Sequence, residues 1–283
     1  MRLRSLLYVP AHKTKFVEKA HTRGADAIIL DLEDSVPLAT KREARDLLAP
    51  AVSAIKAAGI PVFVRVNADD ANLSCDLDSI ARVKIDGLLL PKVGGAADLK
   101  ARLSLLKRRT GMREGDERAL KIIALIEDAA GLTNAGEIAR ASKDMFGLIL
   151  GGEDFALSVD AEPSPDFLRL PKLLVHYAAK SAGIRSFGLL RTIADHKNLD
   201  AIREAGGEAS RYGFDGATCV HPDVIPLLND AFTPSADAVD RARRLLAYSA
   251  EMALEGAFEF EGSMVDKPVI ERARRVIERA LSA

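Results

Sequence analysis

The 283-residue chain carries 40 basic and 41 acidic side chains, a net charge of −1, with 48% hydrophobic and 29% charged residues. That balanced mixture lacks the basic footprint of a nucleic-acid binder, and the length suffices for one large core or two smaller ones. Two cysteines, Cys75 and Cys219, are too few for a disulfide framework and favour a reducing, cytoplasmic setting, and no apolar run approaches the roughly 18 residues of a spanning helix, so no membrane partner is expected.

The first apolar run, residues 5–10, follows basic residues in the manner of a secretory leader, but it breaks at Pro10 before His12 and Lys13 and reads as a strand. Further strands are predicted at 27–34, 62–67, 87–93, 121–127, 145–154, 186–193 and 216–222, as continuous Leu/Ile/Val-rich runs of the kind buried under helices on both faces. Amphipathic helical patterns alternate with them at 13–23, 38–59, 77–82, 96–110, 130–142, 163–183, 198–213 and 223–231. Eight βα units over residues 1–232 match a closed (βα)₈ TIM barrel, with an open doubly wound sheet as the alternative. Residues 108–118 read as a solvated loop. Residues 233–283 form a C-terminal helical extension, with helices at 236–255 and 267–282 and a Gly/Phe/Glu linker at 256–263, suited to docking on a neighbouring subunit or back on the barrel.

In a parallel barrel the chemistry collects at the carboxyl ends of the strands. Here those ends present His12 and Lys13, then Asp31, Glu33 and Asp34, then Arg65 and Asn67, Lys92, Glu127, Glu153 and Asp154, Arg191 and His221. Glu127 and Asp154 close consecutive strands, so they can cap following helices, pair with Lys or Arg, or hold a hard divalent cation with water or substrate in the remaining positions. Arg65 cannot discharge by losing its proton, so it must face either the Asp31/Glu33/Asp34 cluster or an anionic ligand. Asp31 and Glu33 share a face if their strand stays regular. Lys92 can neutralise that cluster or bind phosphate. His12 and His221 are weaker candidates, and the pairs Gly94-Gly95 and Gly151-Gly152 permit close backbone approach to a ligand. No Cys-x-x-Cys, Walker loop, Gly-x-Ser-x-Gly or Gly-x-Gly-x-x-Gly is present. A metal, an arginine and an acid/base carboxylate suit the polarisation of a 2-oxo or 2-hydroxy acid while a carbon–carbon bond breaks or forms.

The blocks Arg4-Ser5-Leu6-Leu7-Tyr8-Val9-Pro10, Asp31-Leu32-Glu33-Asp34-Ser35-Val36-Pro37, Val64-Arg65-Val66-Asn67, Leu90-Pro91-Lys92-Val93 and Gly213-Phe214-Asp215-Gly216 resemble the citrate lyase beta-subunit-like members of the HpcH/HpaI aldolase group. The resemblance runs in order over nearly the whole chain. It implies a (βα)₈ barrel with Mg²⁺, or Mn²⁺, held at Glu127 and Asp154, and Arg65 on the substrate's oxo or carboxylate oxygen. It also implies substrate contacts from Arg4, Lys92 and Glu127, and an acid/base role for Asp266, reaching a neighbouring subunit's site within a homotrimer or homohexamer. Asp34 joins the catalytic set where related pyruvate aldolases carry a His base, a departure that disfavours their mechanism. The seventh strand departs too, since Phe187-Gly188-Leu189-Leu190-Arg191-Thr192 offers neither the acidic residue nor the tyrosine common in the lyases.

The activity so implied is a Mg²⁺-dependent carbon–carbon lyase cleaving or forming a 3-hydroxyacyl-CoA, such as malyl-CoA or citramalyl-CoA, to an acyl-CoA and a 2-oxo acid. The alternatives are a citrate-lyase-beta-like subunit acting on a carrier-protein thioester, a thioesterase or synthase, and a barrel that only binds CoA or an effector.

Overall fold

The computed structural model describes residues 1–111, 120–194, 196–251 and 256–281. Residues Leu3–Asn229 make one compact unit, and Met1–Arg2 with Asp230–Ala283 make another.

The larger unit is built on β1 (Ser5–Pro10), β2 (Ala27–Asp31), β3 (Val62–Arg65), β4 (Gly87–Leu90), β5 (Lys121–Ile126), β6 (Met145–Leu150), β7 (Arg185–Phe187) and β8 (Ala217–Cys219). These strands are hydrogen-bonded in the order β7-β6-β5-β4-β3-β2-β1-β8, with every pairing parallel. A parallel bridge between Phe187 and Gly216 joins the two ends, where the Gly188 N–H donates to the Gly216 carbonyl at 2.9 Å and the Asp215 N–H to the Ser186 carbonyl at 3.0 Å. The ring closes as a (βα)₈ barrel, and the open-sheet alternative falls. Closure needs glycine at that point, because a Cβ on Gly216 would lie 2.0 Å from the Leu3 carbonyl oxygen.

Alternate strand residues point inward, so Leu6, Ile29, Phe63, Leu89, Ile123, Leu125, Ile149 and Phe187 fill the barrel interior. Each such fully buried aliphatic or aromatic side chain contributes about 1.5–3 kcal/mol. Two residues farther along, the same inward face carries Tyr8 on β1, Asp31 on β2, Arg65 on β3 and Glu127 after β5. The polar rim is therefore the next layer of the apolar core.

Several predicted boundaries move. β2 stops at Asp31, three residues short of the expected end, because the Asp31 carboxylate bends back onto its own chain: Oδ1 accepts the Glu33 N–H at 3.0 Å and Oδ2 the Ser35 N–H at 3.3 Å. Glu33 thus lies in a turn, not on a regular strand. β6 stops at Leu150, and the helix Gly152–Ser158 begins where continued strand was expected. The expected seventh and eighth strands shrink to three residues each. The helix at 77–82 lengthens to Asp70–Ile80, because the Asp69 side chain accepts the Asn72 N–H and caps it. Arg108–Thr110 finish the helix Ala96–Thr110, Gly111 ends it in the left-handed conformation, and the rest of the expected solvated loop, residues 112–118, lies outside the described residues.

In the smaller unit, the helices Ala236–Glu251 and Lys267–Leu281 flank an antiparallel hairpin, β9 (Phe258–Phe260) with β10 (Ser263–Val265), where a linker was expected. Leu245, Val265 and Ala273 are buried with Phe258, Phe260, Val269 and Ile270 packed on them, so the Gly/Phe/Glu stretch supplies part of a small core. The expected helix ends at 252–255 and at 282 lie outside the described residues.

Candidate active site at the carboxyl rim of the barrel

The rim is organised around Arg65. Its Nε and Nη2 donate to the two Asp31 carboxylate oxygens at 2.7 Å each, a bidentate pair. Nη1 sits 3.0 Å from Glu33 Oε2 and 3.8 Å from Asp34 Oδ2, and the guanidinium lies 5.0 Å from the Tyr8 ring centroid. Lys92 Nζ approaches Glu33 at 3.3 Å and Asp34 at 3.7 Å. Of the two readings open for Arg65, the acidic cluster supplies its protein partners. Asp31 is 1% exposed; burial works against its charge, but the Arg65 hydrogen bonds prevail and hold its carboxyl below the usual range. Glu33 goes the other way. Burial outweighs Arg65 and, helped by Asp34, pushes its carboxyl up to about 7.

Glu127 follows the last residue of β5 and caps no helix, since the next residue, Asp128, does so through the Gly131 N–H at 2.6 Å. Its Oε2 accepts the Lys92 backbone N–H at 2.7 Å. Lys92 reaches that position in a left-handed conformation, φ 54°, uncommon for a residue with a side chain. The end of β6 presses on the other oxygen, because a Cβ on Gly151 would lie 2.6 Å from Glu127 Oε1. Asp154, half-buried, lies in the first turn of the helix Gly152–Ser158 and not at a strand end. Burial, reinforced by the negative charge of Asp154, raises the Glu127 carboxyl to about 7.

Two carboxylates on one cavity wall, the charge of one disfavouring ionisation of Glu127, fit a divalent cation. A small octahedral ion is commonly held by one or two carboxylates, with waters or ligand oxygens completing its shell. Among the described residues, no group of three or more His, Cys, Asp or Glu could hold a metal. Glu127 and Asp154 would therefore act as a two-ligand site.

Both belong to a cavity of about 270 Å³, lined also by Tyr8, Asp31, Arg65, Lys172, Thr192 and Thr218. The structure thus brings together Arg65, Glu127 and Asp154, with Asp34 and Lys92 at the rim beside them. Arg4, expected at the substrate, lies elsewhere. It precedes β1, at the opposite end of the strand from the rim, and its guanidinium grips Asp26 at 2.7 and 2.8 Å, so it makes no wall of the cavity. Asp266 lies in the smaller unit, where its carboxylate accepts the Val269 N–H at 3.3 Å at the start of the last helix. His12 and His221 also stay off the cavity wall, His221 being 3.5 Å from Asp223 and stacked on His196. At the atypical seventh strand, Gly188, Thr192 and Ile193 face the cavity and Arg191 does not.

Tyr8 and Lys172 were missed by sequence reasoning. Tyr8 sits in an apolar run, and the family block that contains it implied no role for it. Lys172 did carry a signal: it falls on the buried face of its helix, in phase with Leu168, Val175 and Ala179, where a charge is out of place.

With that geometry in view, the comparisons with known proteins are decisive on kinship. Residues 4–222 match the family model described as HpcH/HpaI aldolase/citrate lyase. The chain belongs to that family. It is 34% identical over 285 residues to the citrate lyase subunit beta of Escherichia coli (strain K12), covering 98% of this chain and 93% of the relative. It is also 34% identical over 283 residues to a (3S)-malyl-CoA thioesterase of Cereibacter sphaeroides (strain ATCC 17029 / ATH 2.4.9), with 98% and 94% covered. Among solved structures, the protein CitE from Mycobacterium tuberculosis in complex with magnesium, acetoacetate and coenzyme A superposes with a TM-score of 0.79 at 31% identity, covering 98% of this chain and 97% of that one.

Proposed function

We propose that the chain is a cytoplasmic, Mg²⁺-dependent carbon–carbon lyase that cleaves, or forms, a 3-hydroxyacyl-CoA bearing a carboxylate on its hydroxyl carbon, giving an acyl-CoA and a 2-oxo acid. The observation that carries this is the convergence of Glu127, Asp154 and Arg65 on one cavity in a chain of this family. The solved relative's magnesium, acetoacetate and coenzyme A support the metal and the ligand class. Glu127 and Asp154 would hold Mg²⁺, with Mn²⁺ as a substitute, and the ion would supply Lewis-acid polarisation of the hydroxyl and carboxylate oxygens.

The protein's own groups do the rest. Arg65, oriented by Asp31, donates to the oxygen that becomes the oxo group as charge develops there. Glu33 and Asp34 balance both the guanidinium and the Lys92 ammonium, with Asp34 as the solvent-facing member of the catalytic set. Asp266, supplied by a neighbouring subunit of a homotrimer or homohexamer, is the acid/base: it takes the hydroxyl proton as the carbon–carbon bond breaks and returns it to the enolate carbon of the departing acyl-CoA.

A second reading has specific support in the malyl-CoA thioesterase relative: hydrolysis of the thioester in the same cavity. One experiment separates the two. With malyl-CoA and citramalyl-CoA as substrates in the presence of Mg²⁺, the lyase releases a 2-oxo acid without free thiol, and the thioesterase releases free thiol without a 2-oxo acid. A third reading, a citrate-lyase-type subunit, requires activity only on a carrier-protein thioester.

A further inference from the structure

We propose that Lys172 is a ligand-binding residue that takes an oxygen of the substrate's far end, on the carbon two beyond the oxo or hydroxyl carbon. That oxygen is a carboxylate in a four-carbon 2-oxo dicarboxylic acid or the thioester carbonyl of the matching acyl-CoA. The inference rests on the lyase reading for the orientation of the substrate, but not for its test.

Lys172 lies on the helix Pro165–Ser181, on the face that also carries buried Leu168, Val175, His176 and Ala179. It is 5% exposed and lines the cavity, and its Nζ donates to the Leu150 carbonyl at 3.2 Å. An ammonium carries three N–H donors. One is used on Leu150; among the described residues no carboxylate forms an ion pair with this group, and Glu153 acts on it only at longer range. Burial with so little compensation lowers its pKa to about 8.

Arg65 is already matched by Asp31 and Glu33, so it brings little net positive charge to the cavity. Lys172 is a cavity-lining cation without such a match. The two also stand on opposite sides of the ring. Arg65, Asp31 and Tyr8 come from β1 to β3, whereas Lys172 reaches the wall at the end of β6, on the Leu150 carbonyl. A ligand whose oxo oxygen faces Arg65 therefore reaches the β6 side of the cavity with its other end, where Lys172 stands. A buried, under-compensated charge is costly to keep, and methionine would fill the same space without that cost. A ligand oxygen is what gives the charge a use.

Two probes report on the far oxygen: oxaloacetate, which has it, and pyruvate, which lacks it. Calorimetric titrations with Mg²⁺ present compare wild type, Lys172→Met and Lys172→Arg. Wild type should bind oxaloacetate at least roughly tenfold more tightly than pyruvate, the scale of one charge-assisted hydrogen bond. Lys172→Met should bring the two ligands within about twofold of each other by weakening oxaloacetate alone, and Lys172→Arg should keep the preference. The ligand-free melting temperature of Lys172→Met should equal or exceed that of wild type. Equal weakening of both ligands, unchanged oxaloacetate affinity, or a lower melting temperature with weakened Mg²⁺ binding would overturn the proposal, leaving Lys172 as a peg for the Leu150 carbonyl. None of these readouts needs turnover, so a failed lyase assay leaves them intact.

Discussion

Gly151→Ala is a one-methyl perturbation aimed at Glu127. The added Cβ would lie 2.6 Å from Glu127 Oε1 and 2.7 Å from Cγ. Carbon contacts are comfortable at about 3.5 Å and beyond, so one side must retreat by close to an ångström. Gly151 has φ −75° and ψ 100°, which alanine adopts freely, and its N–H is tied to the Ile126 carbonyl at 3.0 Å. The strand end will not yield easily, so the carboxylate moves and strains its bond to the Lys92 N–H. The expected cost is about 1–3 kcal/mol of stability from overpacking, or a drop of several degrees in melting temperature for a chain of this size. Mg²⁺ affinity should fall roughly 10–100-fold, the range seen when the support of a ligating group is disturbed. Calorimetric Mg²⁺ titration of folded Gly151→Ala measures this. Gly136→Ala is the control: its Cβ would find only Arg140 Nη1 at 3.5 Å, and it should bind Mg²⁺ as wild type does. A folded Gly151→Ala that titrates like wild type would refute Glu127 as a ligand held in place by β6.

Glu33 gives a pH test with a definite sign. Its carboxyl rises from 4.5 to about 7 on folding, so the stability it contributes is complete at acidic pH and is lost as pH climbs through that window, by about 3 kcal/mol. Glu33→Gln should flatten the fall in melting temperature between pH 5 and about 7.5; an unchanged slope would contradict the burial argument. Arg65→Lys keeps the charge but not the fork on Asp31, and should cost about 1.5–3 kcal/mol in urea unfolding, as expected for a lost charged hydrogen bond, together with ligand affinity. Asp266→Asn should lower turnover by about 10²–10⁴-fold with Mg²⁺ affinity unchanged. Mixing it with Arg65→Met should restore part of the activity if Asp266 serves a neighbour's site, and none if it does not.

The barrel was legible because its strands are unbroken apolar runs at regular spacing, and Arg65 and Glu127 stood out as charges in or directly after such runs. Asp31 ends β2 by bonding the backbone of Glu33 and Ser35, a local competition that hydrophobic periodicity does not register. Asp154 reads as strand because the apolar run continues into Gly151-Gly152, whereas the chain turns there into a helix. Arg4 drew attention through its place in a family block, but the amino end of β1 is the wrong end of a parallel barrel for chemistry. The hairpin β9–β10 hid behind glycines that read as a linker, and its pairing depends on packing between the two terminal helices.

The central claim meets its most direct test in one reaction: purified protein with Mg²⁺ and a panel of malyl- and citramalyl-CoA, followed for 2-oxo acid and for free thiol, alongside a metal titration of wild type and Asp154→Asn. Wild type should release 2-oxo acid, and metal binding should be abolished or strongly weakened in Asp154→Asn. Wild type that binds Mg²⁺ yet releases no 2-oxo acid from any member of the panel would contradict it.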